Sequence, residues 1–576
     1  MNHPSPAIVT QAAARPFPRL VLLLLCLAYG LSGFLGRAAW KSADMTALGY
    51  MAELARGGTS WTNPLLMGTP PESPALLPYW LGAWAIQWAT PGLTADFAAR
   101  LPFGVLLALT LLATWYATYN LARSTRAQPV AFAFGGEALP TDYARAMADA
   151  GLLALIACLG LAQLSHETTP ALAQLGSCAL FFYAVAALPY RNYHNVPAML
   201  ALACGLTGLT LSGAPSLALL FGLGSAAIHY LDQTPQTPDT ATTTTKRLIT
   251  LESAAIVLLC LANGALALVL DLWRWKIELP HATWAEWNGY AQLLLWFTWP
   301  AWPLAVWTVW RWRHQLFSRQ LSRHLALPAW LVLVCAVATL LTGSPDRTLL
   351  LSLPPLATLA AFALPTLKRQ VSALIDWFTL LFFSGCGFVI WVVWIATQTG
   401  FPPQPAANVK RLAPGFEPSF SLLSLVIAVC ATLAWGWLVR WRVGRHRDAI
   451  WKSLVLPGGG AALCWLLVMT LWLQPLDHAQ SYTSMVTRTI RQINKPGCVE
   501  TLGLDQGQIA AFRFYGDLQL MAMQAKPTCP WLLVEPGPSQ SVPEIVASRQ
   551  WVLQTSIRHS VADNELLLLF RKRIEQ

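Results

Sequence analysis

The chain has 576 residues, of which 55% are hydrophobic and only 11% charged, with a formal net charge of +11. A water-solvated domain carries about 25% charged residues, so a soluble globular protein is excluded. The excess Lys and Arg sit in short segments between apolar runs, where they set membrane orientation, and nucleic acid is not an expected partner.

The first run, "PRLVLLLLCLAYGLSGFLG" (18–36), is long enough to cross a ~30 Å hydrocarbon layer as a helix. Its apolar region is too long for a signal peptide, and "GLSGFLGRAAW" offers no small-residue cleavage site. It is read as a retained first span. Further spans are expected at 98–121, 149–164, 170–189, 195–212, 215–231, 248–271, 290–310, 328–342, 348–365, 375–397, 420–439 and 453–474. Backbone groups in lipid must pair within the segment, and alternating barrel strands are absent. The fold class is therefore an α-helical polytopic membrane protein with about thirteen transmembrane helices. The short Trp-rich stretch "ALLPYWLGAWAIQWAT" (75–90) reads as interfacial.

An odd number of spans puts the termini on opposite sides. "RWRHQLFSRQLSR" (311–323), "LKR" (367–369) and "VRWRVGRHRD" (439–448) place the N-terminus in the cytoplasm and the C-terminus outside. The Thr/Pro-rich 232–246 then reads as a flexible cytoplasmic linker. Residues 1–474 form the membrane module, with a first periplasmic loop at 37–97, and 475–576 form a small soluble α/β domain on the same side. In that tail "LDHAQSYTSMVTRTIRQINK" (476–495) has a helical period. The segments 499–504, 509–516, 530–536, 551–557 and 566–572 read as short strands separated by turn residues. Nine of the eleven cysteines lie in or beside apolar spans as small buried hydrophobes. Cys498 and Cys529, in the tail, are the candidates for a disulfide in an oxidising compartment.

The outer loops carry the chemistry. In "KSADMTALGYMAEL" (41–54) Asp44 shares a helical face with Leu48, Met51 and Ala55. It is either an N-cap, which satisfies free N–H groups of the first turn, or a carboxylate at a site. The long "SWTNPLLMGTPPESPALLPYW" (60–80) carries Glu72 between prolines, and ordered loops of that length are often functional. "LSHETTPAL" (164–172) brings His166 and Glu167, with Thr169 and Pro170 opening the next helix. "TGSPDRTLLLSLPPL" (342–356) brings Arg347, whose planar fork suits a phosphate.

An acid-led helix after the first span, then the Trp-Pro-Gly-Pro-Pro-Glu order of 60–80, then "ARLPFGV" (99–105) and "LPPLATLAAF" (353–362), resembles the polyprenyl-phosphate-dependent glycosyltransferases of the GT-C superfamily. The nearest pattern is that of the lipid A aminoarabinose transferase, with protein O-mannosyltransferases as relatives. Met45 stands where relatives carry a second acid, Ser73 where they carry Lys, and Glu167 where they carry Asp. The resemblance implies a bacterial inner-membrane enzyme with a GT-C fold. It would move a sugar from a polyprenyl-phosphate donor to lipid A or another glycan, lipid or protein acceptor, with inversion. It implies Asp44 as general base and Glu167 as a second acid orienting the acceptor or a divalent metal. Arg347 would hold phosphate, with Glu72, His166 and Tyr50 lining the substrate site. Two other classes stay open. A flippase or transporter would show embedded charges, broken helices or inverted repeats, and a non-catalytic membrane assembly protein would need no site.

Overall fold

The computed structural model describes residues 5–190, 196–232, 243–273, 283–316, 321–444, 449–493, 497–523, 528–536, 551–558 and 566–573. Most of the 232–246 linker lies outside the described residues. The protein is a helical bundle carrying a small sheet domain. Among the described residues six helices are long and apolar enough to cross a membrane: Ala95–Ala122, Pro170–Ala187, Ile249–Val269, Arg369–Thr399, Leu422–Arg442 and Lys452–Leu471. Shorter apolar helices occupy Arg19–Ser32, Val196–Leu211, Pro215–Leu231, Arg323–Thr339 and Leu353–Thr366.

Burial separates the bundle into a centre and a rim. In Lys452–Leu471, 72% of the most apolar window is buried by neighbours, whereas in Leu422–Arg442 only 6% is. The rim helix exposes Leu422, Leu423, Leu433 and Trp437. An exposed apolar face of that extent marks a membrane or protein contact.

Three expected spans are built differently, and one of them, 348–365, divides into the short helix Pro345–Leu350 and the helix Leu353–Ala363. The 149–164 span begins earlier, as the helix Pro140–Ala157, and breaks before a short turn at Leu161–Leu164. Its polar first half passed for a loop, but Asp149 is buried and accepts from the Phe17 backbone N–H at 2.9 Å and the Trp115 indole at 2.8 Å. Those partners are distant in sequence and invisible to hydropathy. The 290–310 span is two helices, Trp284–Phe297 and Ala301–Arg311. The break frees the Phe297 and Trp299 carbonyls, which accept from the Gly160 and Leu159 N–H groups. Each interruption thus satisfies the backbone of the other, as irregular chain at membrane depth must.

The C-terminal domain is a five-stranded mixed sheet. Its strands are β1 (Cys498–Leu502), β2 (Gln519–Ala522), β3 (Trp531–Val534), β4 (Trp551–Arg558) and β5 (Leu566–Lys572). The order is β2-β1-β3-β5-β4, with β1 parallel to β2 and β3, and β5 antiparallel to β3 and β4. The expected strand at 509–516 is instead part of the helix Gln506–Phe514. Asp505 and Gln508 close a capping box at its start, and that reciprocal pairing fixes a helix. Cys498 and Cys529, 31 positions apart in the chain, are bonded, with Cα atoms 5.2 Å apart. The bond ties the start of β1 to the approach to β3. Reducing it is expected to destabilise the domain by about 3 kcal/mol. Thermal proteolysis with and without reductant measures this, and equal midpoints would show that the cross-link contributes nothing.

The domain docks on the first loop. Gly49 of the Ala43–Ala55 helix lies so close to the Gln506–Phe514 helix that a Cβ there would come within 2.5 Å of the Ala510 side chain. Arg513 pairs with Glu53 at 3.0 Å, and Asp477 accepts from the Ala38 N–H at 2.8 Å and the Trp40 indole at 3.0 Å. The loop and the tail therefore share one end of the bundle.

Candidate functional site

The loop helix Ala43–Ala55 starts with Asp44 in its first turn, where the unpaired N–H groups favour negative charge. Asp44 is only 2% exposed, and both of its oxygens are occupied. Oδ2 accepts from Arg37 Nη1 at 2.9 Å and from the Trp40 N–H at 3.1 Å. Oδ1 accepts from the Thr168 N–H at 2.7 Å and from the Thr168 hydroxyl. Arg37 in turn donates to the Gly33 and His166 carbonyls, and Arg100 donates to the Arg37 carbonyl. Burial pushes the Asp44 carboxyl up, but the Arg37 guanidinium, the Thr168 hydroxyl and the charge of Arg100 outweigh it and hold the group below the usual carboxylate range.

Thr168 anchors the next loop, and Glu167 is its neighbour. Glu167 is buried, receives a bond from Gln163 Nε2 to Oε1 at 3.2 Å, and leaves Oε2 without a hydrogen-bond partner among the described residues. Arg347, on the short helix Pro345–Leu350, brings Nη2 to 3.9 Å from that oxygen. Burial, reinforced by the charge of Asp44 and only partly offset by Arg347, pushes the Glu167 carboxyl up to about 7. The two acids of the loops are thus adjacent but unlike: Asp44 is locked as an anion and Glu167 is poised to change protonation.

The remaining predicted residues divide. Tyr50 lies on the loop helix, donates to the Thr69 carbonyl at 3.1 Å and packs against Tyr79 with ring centroids 5.3 Å apart. Burial and then the charge of Glu72 push the Tyr50 phenol up, and Tyr79 feels both Glu72 and Arg347. Glu72, Tyr50, Tyr79 and Arg347 therefore border one region next to Glu167. His166, expected to bind substrate, lies apart from them in the structure. Its ring is buried against Tyr29, Phe34 and Trp465, with centroids 5.4, 5.1 and 4.9 Å away. Its nitrogens lie against the Ala162 and Tyr29 carbonyls, and burial pulls the imidazole down to about 4. A Cβ on Gly33 would lie 2.2 Å from this ring, so only glycine admits it. Thr169 does occupy the N-cap position ahead of Pro170, although its hydroxyl makes no capping bond.

Sequence reasoning missed Arg37, Arg100, Thr168 and Tyr79. Arg37 is seven residues from Asp44 and passed for an orientation-setting loop charge. Arg100 was inside a quoted motif without a role. Among the described residues no three His, Cys, Asp or Glu side chains gather to hold a metal. Arg37 and Arg100 act on Asp44, and Arg347 and Arg37 on Glu167, so each carboxylate already faces guanidinium charge. The divalent metal of the sequence expectation does not fit these residues.

No family model matches the sequence, and no curated protein matches it. Solved structures do. The crystal structure of ArnT from Cupriavidus metallidurans in the apo state superposes with a TM-score of 0.61 at 12% identity, covering 96% of this chain and 97% of that one. The same protein bound to undecaprenyl phosphate gives a TM-score of 0.61 at 11% identity over the same shares. An Archaeoglobus fulgidus oligosaccharyltransferase tethered with an acceptor peptide gives 0.43 at 10% identity, covering 88% of this chain and 64% of that one. Membrane helices and tail sheet together, the chain shares the fold of ArnT over nearly its full length.

Proposed function

We propose that this protein is a membrane glycosyltransferase that moves a sugar from a polyprenyl-phosphate carrier to a hydroxyl of a cell-envelope acceptor such as lipid A. The reading places it in the bacterial inner membrane with thirteen spans, the N-terminus in the cytoplasm, and the loops and tail domain in the periplasm. The observation that carries it is the Glu167–Arg347 pair, a raised carboxyl beside a half-buried guanidinium, in a chain whose fold matches a protein solved with undecaprenyl phosphate.

In an inverting displacement the acceptor oxygen attacks the anomeric carbon as the bond to the lipid phosphate breaks. The attacking hydroxyl gives its proton to a base within hydrogen-bond reach, and the departing phosphate takes up the charge. Glu167 suits the base: one oxygen lacks a hydrogen-bond partner among the described residues, and its pKa near 7 matches proton transfer at neutral pH. Asp44 has no free lone pair for a substrate proton, so the base role moves from it to Glu167. Asp44 becomes the positioning residue that holds Thr168, and through it the Glu167 loop. Arg347 stabilises the phosphate as charge develops, and Glu72 and Tyr50 border the bound sugar.

Mass spectrometry of envelope glycolipids from a deletion strain, complemented with the wild-type chain or with Glu167→Gln, tests the reading. One decoration should vanish on deletion and return only with the wild type; an unchanged glycolipid profile on deletion overturns it. Arg347→Ala is expected to raise KM for the lipid-phosphate donor by about 10- to 100-fold, with Lys recovering part of it, because a point charge replaces a planar fork. Donor titration in proteoliposomes reads this, and an unaltered KM would remove Arg347 from the phosphate.

A further inference from the structure

A cavity of about 410 Å³ opens where the first loop meets the C-terminal domain, lined by Glu53, Thr59, Ser60, Asn63, Met67 and Arg513 among others. That volume falls in the ~300–1,000 Å³ range of small-molecule sites. Its charged wall is the Glu53–Arg513 pair, 3.0 Å apart, with Glu53 7% and Arg513 30% exposed at the side chain. The Gly58 backbone closes on this wall, since a Cβ there would sit 2.8 Å from the Glu53 carboxylate. The Thr59 hydroxyl is committed to the loop, accepting from the Leu65 N–H at 2.8 Å. The Asn63 amide has no such commitment among the described residues. Met67 and Gly68 form a tight turn with φ of 50° and 79°, closed by the Leu66 and Thr69 backbone bonds at 3.0 Å each. The far side of the turn receives the Tyr50 hydroxyl at the Thr69 carbonyl, so one turn separates this cavity from the region beside Glu167.

We propose that the cavity binds a neutral pyranose of the acceptor glycan, distal to the hydroxyl under attack. Sugar hydroxyls both donate and accept. The Glu53 carboxylate accepts, the Arg513 guanidinium donates, and the Asn63 amide does both, while Met67 and Leu65 offer apolar surface to the C–H face of a ring. Glu53 and Arg513 cancel each other's charge, so a phosphate or carboxylate gains no net attraction. Glu53 lies nine residues along the helix from Asp44, roughly 13 Å at 1.5 Å per residue. The acceptor is therefore longer than one sugar. This assignment rests on the transferase reading and deepens it.

The test uses the full chain in nanodiscs and saturation-transfer NMR with three soluble probes: cellobiose, maltose and diacetylchitobiose. At least one is expected to bind the wild type. Asn63→Leu, which leaves the Glu53–Arg513 pair and the domain contact intact, should weaken that probe about tenfold, the cost of roughly one hydrogen bond. Arg513→Ala should weaken it as much or more. Glu167→Gln should bind it as the wild type does. No binding of any probe, or binding that Asn63→Leu leaves unchanged, overturns the acceptor cavity. The glycolipid profile of the Glu167→Gln strain judges the transferase reading separately.

Discussion

Glu167→Gln is expected to lower the rate of sugar transfer by at least about 100-fold, the usual loss when a general base is removed, while the protein folds as well as before. The side chains are nearly the same size, and Gln keeps an acceptor for the Gln163 amide. The sign for stability follows from the raised carboxyl. The folded group titrates near 7 and the unfolded one near ~4.3, so the folded state holds the proton more tightly. Stability linked to Glu167 is full below the unfolded value and is lost as pH rises through the folded value. At pH 8 the wild type thus carries a buried charge that Gln lacks, and the variant should melt no lower. For catalysis the sign is opposite, because the base works only when ionised. Transfer should rise with pH and level off above about 7. A flat profile between pH 5 and 8, or a Gln variant with wild-type turnover, removes Glu167 from the reaction.

The helical class was legible because hydropathy reports burial and lipid exposure alike: each expected apolar run contains helix, and six of the described helices are long and apolar enough to cross a membrane. It failed where polar groups find distant partners. The polar stretch 140–148, whose Asp142 accepts from the distant Gln11 amide, made half of a helix look like a loop, and the 290–310 run concealed a break that only the 158–160 loop completes. In the tail, the alternation of 509–516 outweighed the Asp505–Gln508 capping signal, which was present and should have decided the matter. The site was legible as residue types in loops. Asp44, Glu167 and Arg347 do meet, bridged by Thr168. Which acid is locked and which is free depends on Arg37, seven residues away with no periodicity to announce it. His166 looked functional because it adjoins Glu167, but successive residues here face opposite ways, and its ring packs into the core.

Asp44→Asn is the change expected to damage the protein most broadly. Both carboxylate oxygens accept, from Arg37 and Trp40 on one side and from Thr168 twice on the other. An amide would turn its NH₂ toward one set of donors and leave Arg37 buried without its counter-charge. Breaking one partner of a buried pair costs about 3–5 kcal/mol, so the variant should unfold at a clearly lower temperature. Because the Asp44 carboxyl is held below its usual range, its contribution is present above the unfolded value, ~3.9, and is lost as pH falls through the lower folded value. The melting difference between variant and wild type should therefore shrink in strong acid. Placing the change on an Arg37→Met background should cost less than placing it on the wild type, since no orphaned cation remains. Transfer should fall by up to about 100-fold through the displaced Glu167 loop. The residual activity carries a further sign. The Asp44 charge helps to raise Glu167, so without it the rising limb of the pH profile should move below 7. A lost charge that merely loosened the loop would leave that limb in place. Should the variant melt like the wild type while transfer disappears, Asp44 itself takes the proton, and the assignment of the base returns to it.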